Sequence, residues 1–225
     1  MSNFDFGVAT PLNYEQKCCC TLVLDVSGSM NGAPINELNR GLQDFYHDIM
    51  NDSTTANRLE VGMVEFSDVI TTRMEPGLLN HGGFPTLTVG GTTKLVDGVR
   101  QGIATTRARK SYYKQSGQPF YRPWIILITD GAPDGGQDTA GLAREINDAV
   151  NKKDFFFFAI GVQGANMNML NQISHHSMPP AQLNGLKFSA FFKWLSASMS
   201  TVTNSKDGDQ VSFPDPGNWM KGFTI

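Results

Sequence analysis

The stretch VLDVSGSMNGAP, from Val23 to Pro34, joins an apolar run to a polar turn and then to the start of a helix. The run CCCTLVLDV is almost continuously apolar, which is typical of a strand covered on both faces in a parallel sheet. Asp25 stands near its end, and Ser27 and Ser29 follow at alternate positions. Pro34 suits the first turn of a helix. The stretch therefore predicts a strand, a tight turn that carries three oxygen side chains, and a helix.

Strand-like and helix-like segments alternate along the rest of the chain. Apolar residues recur at steps of three and four after Pro34, which indicates an amphipathic helix. LEVGMVEF and DVITTRM predict two strands joined by a tight turn at Ser67 and Asp68. YRPWIILITD is a buried-type strand that ends in Asp130, and DFFFFAIGV is a further strand. A last, short strand is predicted near Leu186 to Phe188. The segment from residue 75 to residue 91 is rich in glycine and proline and predicts a long loop.

This alternation predicts an α/β fold with a mostly parallel sheet. The hairpin would place one antiparallel strand at an edge of the sheet. We predict an N-terminal segment at residues 1–16, the domain at 17–203 and a C-terminal tail at 204–225. Trp219 and Phe223 suggest that the tail docks on its own domain or on a partner.

Composition and charge argue against several classes of protein. The chain has 225 residues, 18 Lys and Arg against 21 Asp and Glu, and no long basic run, so nothing supports a nucleic-acid partner. No window reaches a membrane-spanning length, and the polar N-terminus does not resemble a signal peptide. The three cysteines are consecutive, Cys18 to Cys20, and have no distant cysteine to pair with, which suits a reducing compartment. We therefore expect a cytoplasmic protein without a membrane or nucleic-acid partner.

Two strand ends carry aspartates that the fold should bring together. Ligands of open α/β sheets bind beyond the carboxyl ends of the strands, so Asp25 and Asp130 are expected at one edge. Ser27, Ser29 and one of the two threonines in the GGTT turn at 90–93 would add hydroxyl oxygens. Carboxylate and hydroxyl oxygens suit Mg²⁺ or Mn²⁺. No Cys or His is placed to make this a zinc site.

The charge balance of such a site predicts how it would work. Two carboxylates and neutral hydroxyls, especially with water between, leave a divalent ion incompletely neutralised. A carboxylate from a partner protein would complete both the geometry and the charge. A simpler interpretation exists for each residue, because Ser29 or Asn31 could cap the helix near Pro34, and Asp130 followed by Gly131 could open an ordinary turn.

These motifs resemble those of the von Willebrand factor A domain. DVSGSM, from Asp25 to Met30, matches the family's Asp-x-Ser-x-Ser metal-ion-dependent adhesion site. GGTT matches its separate threonine, best at Thr92, and ITDGAPD matches its second aspartate at Asp130. The resemblance implies metal ligation by Ser27, Ser29 and Thr92, with Asp25 and Asp130 acting directly or through water. It also implies a doubly wound, mostly parallel six-stranded sheet with one antiparallel edge strand and helices on both faces, and it implies protein binding rather than catalysis.

The resemblance extends from about Lys17 to Val202. The compact form is similar to bacterial tellurite-resistance-type A-domain proteins, which implies a cytoplasmic stress response and a kinase- or phosphatase-like protein partner. Mg²⁺ or Mn²⁺ is the expected metal, with Ca²⁺ as a further option.

One alternative is a metal-independent A-domain scaffold. Another, a phosphatase of the haloacid-dehalogenase type, needs an acid–base aspartate at the position of Ser27. No histidine has a visible nucleophile partner, so we expect no enzyme activity.

Overall fold

The computed structural model describes residues 13–80, 82–205 and 212–221, which form one sheet flanked by helices. The strands are β1 (Cys18–Asp25), β2 (Leu59–Phe66), β3 (Ile70–Leu78), β4 (Trp124–Thr129), β5 (Phe156–Gly161), β6 (Ala181–Leu183) and β7 (Met220–Lys221). The helices are α1 (Ala33–Asn51), α2 (Ser53–Arg58), α3 (Leu95–Ser116), α4 (Thr139–Asn151), α5 (Met167–Ile173) and α6 (Phe188–Asn204).

The sheet is doubly wound, as the family resemblance implies. Its strand order is β3-β2-β1-β4-β5-β6-β7. The strands β2, β1, β4, β5 and β6 all run parallel. The edge strand β3 pairs antiparallel with β2. The mostly parallel six-stranded sheet with an antiparallel edge strand is thereby confirmed, and β7 adds a seventh strand that the sequence did not predict. The winding reverses between β1 and β4, which is where open α/β sheets place their ligands.

Helices cover both faces because successive strand residues point into two different cores. In β1, Leu22 and Leu24 belong to the core beneath α1 and α6, whereas Val23 belongs to the core beneath α3 and α4. Every residue of β1 is buried, as its continuous apolar character predicts. The three cysteines are free and buried, and burial raises the pKa of the Cys19 thiol to about 12. They act as small packing residues.

Two predicted boundaries are wrong. The sixth strand lies at Ala181–Leu183 rather than near Leu186 to Phe188, because Phe188 begins α6 and turns its ring into the core with Phe191 and Leu195. The helical spacing of these apolar residues overrides the local strand pattern. The glycine- and proline-rich loop is also shorter than predicted, because β3 continues through Pro76 to Leu78 at the edge of the sheet.

The described part of the C-terminal tail lies on the domain. Trp219 is only 2% exposed, and its ring centroid lies 5.0 Å from that of Phe191 and 5.2 Å from that of Trp194. Met220–Lys221 then adds a seventh, antiparallel strand to β6. Trp219 therefore docks on its own domain, as one of the two predicted options, whereas Phe223 lies outside the described residues. The boundaries at 16/17 and 203/204 stay predictions.

Candidate metal centre

The ends of β1 and β4 bring Asp25 and Asp130 to one edge of the sheet. The two strands are parallel neighbours, and Leu24 is paired with Ile128. Asp25 is the last residue of β1, and Asp130 directly follows β4. The loop of residues 26–32 therefore leaves the sheet beside the loop that begins at Asp130.

Asp25 is fully buried and holds two hydrogen bonds. Its Oδ1 accepts from the backbone N–H of Ser27 at 2.9 Å, and its Oδ2 accepts from the Thr129 hydroxyl at 2.5 Å. Burial raises the pKa of the Asp25 carboxyl, although the hydrogen bonds from Ser27 and Thr129 act in the opposite direction. The charge of Asp130 raises this pKa further. The arrangement therefore favours an added positive charge beside Asp25.

The two serines connect the loop after β1 to Asp130. Ser27 Oγ lies 3.1 Å from Ser29 Oγ, and the Ser29 hydroxyl donates to Asp130 Oδ1 at 2.7 Å. Ser27 is 1% exposed, whereas Ser29 lies at the surface. A hydroxyl has one proton and two lone pairs, so Ser29 can donate to Asp130 and still offer a lone pair to a cation.

Gly90 and Gly91 lie in the loop before α3, and backbone hydrogen bonds hold this loop against the loop after β1. Gly90 N–H donates to Val26 O at 2.9 Å, and Gly28 N–H donates to Gly91 O at 3.1 Å. Gly91 has a φ of 77°, and a Cβ built on it would lie 1.7 Å from Asp68 Oδ1. A larger residue at this position would therefore collide with Asp68, in the turn between β2 and β3.

Thr93, rather than Thr92, lies beside Asp25. Thr92 is exposed and Thr93 is buried. A Cβ built on Gly131 would lie 3.6 Å from Thr93 Oγ1 and 3.7 Å from Asp25 Oδ2, so both oxygens face the same glycine. The structure thus brings together four of the five residues predicted from the sequence and places Thr93 beside them, while Thr92 is exposed.

Two residues that the sequence analysis did not single out hold Thr93 in this orientation. Asp134 Oδ2 accepts from Thr93 N–H at 3.0 Å, and Asp134 N–H donates to Thr93 O at 3.1 Å. Gln137 Nε2 also donates to Thr93 O at 2.6 Å, and its Oε1 accepts from Val96 N–H at 2.8 Å. The turn cluster DGAPDGGQD carries both residues. Their partner, the Thr93 backbone, lies some 40 positions earlier in the chain, so no local sequence pattern indicates these hydrogen bonds.

The chemistry of the cluster is that of hard oxygen donors. Among the described residues, no group of three or more His, Cys, Asp or Glu side chains could hold a metal, so a cation here would depend on hydroxyls as well as on two carboxylates. His47 is exposed on α1, His175 contacts Asn151 and Ser177, and His81 lies outside the described residues. This donor set fits Mg²⁺ or Mn²⁺.

Family comparison agrees with the fold. The model of the von Willebrand factor type A domain matches residues 21–190, and the chain belongs to this family. No curated protein sequence matches the chain. No helix in the described parts of the chain is both long and apolar enough to span a bilayer.

Several solved structures share the fold at low sequence identity. The pilus adhesin SpaC from Lactobacillus rhamnosus GG is 16% identical with a TM-score of 0.68, over 86% of this chain and 32% of that chain. The vWF domain of the type V pili tip protein Mfa5 from Porphyromonas gingivalis is 10% identical with a TM-score of 0.55, over 87% and 99%. The ArnB paralog VWA2 from Sulfolobus acidocaldarius is 18% identical with a TM-score of 0.54, over 82% and 45%. This chain therefore spans about a third of SpaC and under half of VWA2.

Proposed function

We propose that this chain is a metal-dependent protein-binding module. It would recognise an acidic residue of a partner protein through a divalent ion held at the β1–β4 edge. The observation that carries the proposal is the hydrogen-bonded cluster of Asp25, Ser27, Ser29 and Asp130, with Thr93 beside Asp25, at the point where the winding of the sheet reverses. Many A domains are interaction modules, and membership of the family supports the same conclusion.

The proposed roles follow from the donor chemistry of each residue. Ser27, Ser29 and Thr93 would supply neutral oxygen ligands, and Asp25 and Asp130 would supply charge directly or through water. Mg²⁺ or Mn²⁺ is the proposed ion, because both prefer oxygen ligands in octahedral geometry, and Ca²⁺ is a further option. Thr92 is not retained in this set, since its side chain faces solvent.

The same donor set accounts for the proposed partner. Asp25 already accepts hydrogen bonds at both carboxylate oxygens, which spreads its negative charge over several donors. An ion held in this way keeps a net attraction for an anionic ligand and can keep a coordination position open. A carboxylate of a partner would fill that position, which makes an aspartate or glutamate side chain the proposed contact.

Calorimetric titration of metal-stripped protein with Mg²⁺ and Mn²⁺ tests the metal. We expect saturable binding that is lost in Asp25→Ala, while circular dichroism shows that the variant remains folded. Asp97→Ala is the matched control, because Asp97 is an exposed aspartate in the first turn of α3. Absence of binding by the wild-type protein at about millimolar metal would contradict the metal site and favour the alternative proposal, a metal-independent A-domain scaffold.

A second titration tests the partner chemistry. A short peptide with one central glutamate is added to the metal-loaded protein, and the same peptide with glutamine serves as the control. We expect weak binding of the glutamate peptide that disappears when a chelator is added. Equal binding of both peptides, or binding that survives the chelator, would show that recognition does not pass through a metal-bound carboxylate.

We further propose a cytoplasmic stress-response role of the tellurite-resistance type, with a kinase- or phosphatase-like partner. The three free, buried cysteines of β1 support a reducing compartment. The likeness to the pilus proteins SpaC and Mfa5 supports a competing proposal, a module at the cell surface. Fractionation of the source cells into cytoplasm and envelope, followed by immunodetection of the chain, would separate these two proposals.

A further inference from the structure

A cavity of about 380 Å³ lies between the sheet and the described part of the C-terminal tail. Its floor includes Ile126 of β4 and Ala181 of β6, and α6 forms one wall with Phe191 and Trp194. Its roof is the segment of residues 212–220. Most of this roof and the α6 wall come from outside residues 21–190, the region that the family model matches.

The roof is fixed at both ends. At one end, the Phe213 ring meets the Trp124 ring edge-on at 5.2 Å, and Trp194 Nε1 donates to Pro214 O at 2.9 Å. At the other end, Trp219 lies against α6, and its carbonyl accepts from Asn184 N–H at 2.7 Å. The segment is therefore anchored over the sheet, and the space beneath it has a defined shape.

The size and the walls of the cavity restrict what can fill it. Protein interiors rarely leave voids much larger than a water molecule, and water finds few hydrogen-bond partners among apolar walls. None of the residues that line the cavity is charged, and five of them are aromatic. The volume lies within the range of small-molecule sites.

We propose that this cavity binds a small, neutral, aromatic molecule. The rings of Phe158, Trp194 and Phe213, which line the cavity and keep exposed surface, would contact its flat faces or edges, and the absence of charged residues in the lining disfavours an ion. Ser177 and Ser212 are exposed residues of the lining and could bond one polar group of the ligand.

The proposal does not depend on the proposed metal function. The cavity lining contains none of Asp25, Ser27, Ser29, Thr93 and Asp130. The cavity lies along β4, β5 and β6 and α6, whereas the metal cluster lies at the ends of β1 and β4. Failure of one proposal therefore leaves the other unaffected.

The test is a fluorescence titration of the full chain with N-phenyl-1-naphthylamine, a neutral aromatic dye that brightens in apolar surroundings. We expect saturable binding to one site, accompanied by quenching of tryptophan emission, because Trp194 and Trp219 line the cavity. Ala181→Leu should lower the affinity about tenfold or more, since the added methyl groups enter the cavity. Ala104→Leu is the matched control, on an exposed position of α3, and should bind the dye as the wild type does.

Met178→Trp is a second filling variant, from a half-buried position of the lining, in case Ala181→Leu does not fold. Loss of dye binding in a folded filling variant, with binding retained in Ala104→Leu, supports the proposal. No saturable binding by the wild type would overturn it. Wild-type affinity in every filling variant that folds would overturn it as well, because the dye would then bind elsewhere.

Discussion

Asp25 has an environment that disfavours its own charge. It is fully buried, and burial together with the charge of Asp130 raises the pKa of its carboxyl, against the hydrogen bonds from Ser27 and Thr129. A carboxyl whose pKa is higher in the folded state than in the unfolded state destabilises the fold once the pH exceeds the unfolded value, near 4. Such a charge is retained where function uses it, here for the proposed cation.

Asp25→Asn should therefore stabilise the metal-free protein. At neutral pH we expect a gain of about 1 kcal/mol in the free energy of unfolding, because the amide carries no charge to desolvate. The gain should disappear at about pH 3, where the carboxyl is protonated in both states. Urea denaturation at the two pH values measures it. A loss of stability at neutral pH would show that the hydrogen bonds of Asp25 outweigh its desolvation.

Thr92 and Thr93 offer a direct comparison of adjacent residues. Thr93→Ala should weaken the proposed metal binding about tenfold, because it removes one oxygen ligand, whereas Thr92→Ala should leave the affinity unchanged. Calorimetric titration of both variants with Mg²⁺ measures the difference. If Thr92→Ala had the larger effect, the threonine expected from the sequence motif would be the ligand despite its exposure.

Among the elements, the loop after β4 supports the loop before α3. Asp134 and Gln137 bond the backbone of Thr93 on both its N–H and C=O sides, and Gln137 also accepts from the first turn of α3 at Val96. The loop that carries Asp130 thereby sets the position of the Thr93 hydroxyl. Residues that hold metal ligands in place commonly affect affinity without touching the ion.

Gln137→Ala should consequently lower the Mg²⁺ affinity about tenfold, although Gln137 reaches no proposed ligand atom except through the Thr93 backbone. The thermal stability of the metal-free protein should change little, since the loop is at the surface. Gln115→Ala, at the exposed far end of α3, is the matched control. An unchanged affinity in Gln137→Ala would mean that Asp134 alone orients Thr93.

For the whole molecule, the described residues 212–221 pack against the rest of the fold. Trp219 is almost fully buried against Phe191 and Trp194, and β7 extends the sheet beyond β6. Phe213, by contrast, is 43% exposed. Burial of a tryptophan side chain against other rings makes a large contribution to stability, so the segment should unfold together with the domain.

Trp219→Ala should cost about 3 kcal/mol in the free energy of unfolding, as large-to-small core substitutions do. Phe213→Ala serves as the comparison and should cost clearly less, because much of its ring is already in solvent. Urea denaturation followed by circular dichroism measures both. Equal, small effects of the two substitutions would show that the segment contributes little to the stability of the domain.

The sequence by itself determined the α/β class, the antiparallel edge strand, and the placing of Asp25, Ser27, Ser29 and Asp130 at one edge. These features follow from local patterns: apolar runs that end in an aspartate, helical periodicity, and the rule that parallel strands share their carboxyl edge. The same patterns failed for β6, because three residues of strand carry too little periodicity to compete with the apolar spacing of α6.

Only the tertiary structure placed Thr93, and not Thr92, beside Asp25, revealed the support from Asp134 and Gln137, and placed Trp219 against α6. Each depends on contacts between residues far apart in the chain: the Thr93 backbone meets Asp134, and Trp219 meets Phe191. The orientation of one side chain in a loop is set by the hydrogen bonds that its backbone makes to another loop. That information is not present in any local run of residues, and it exists only when the chain is folded.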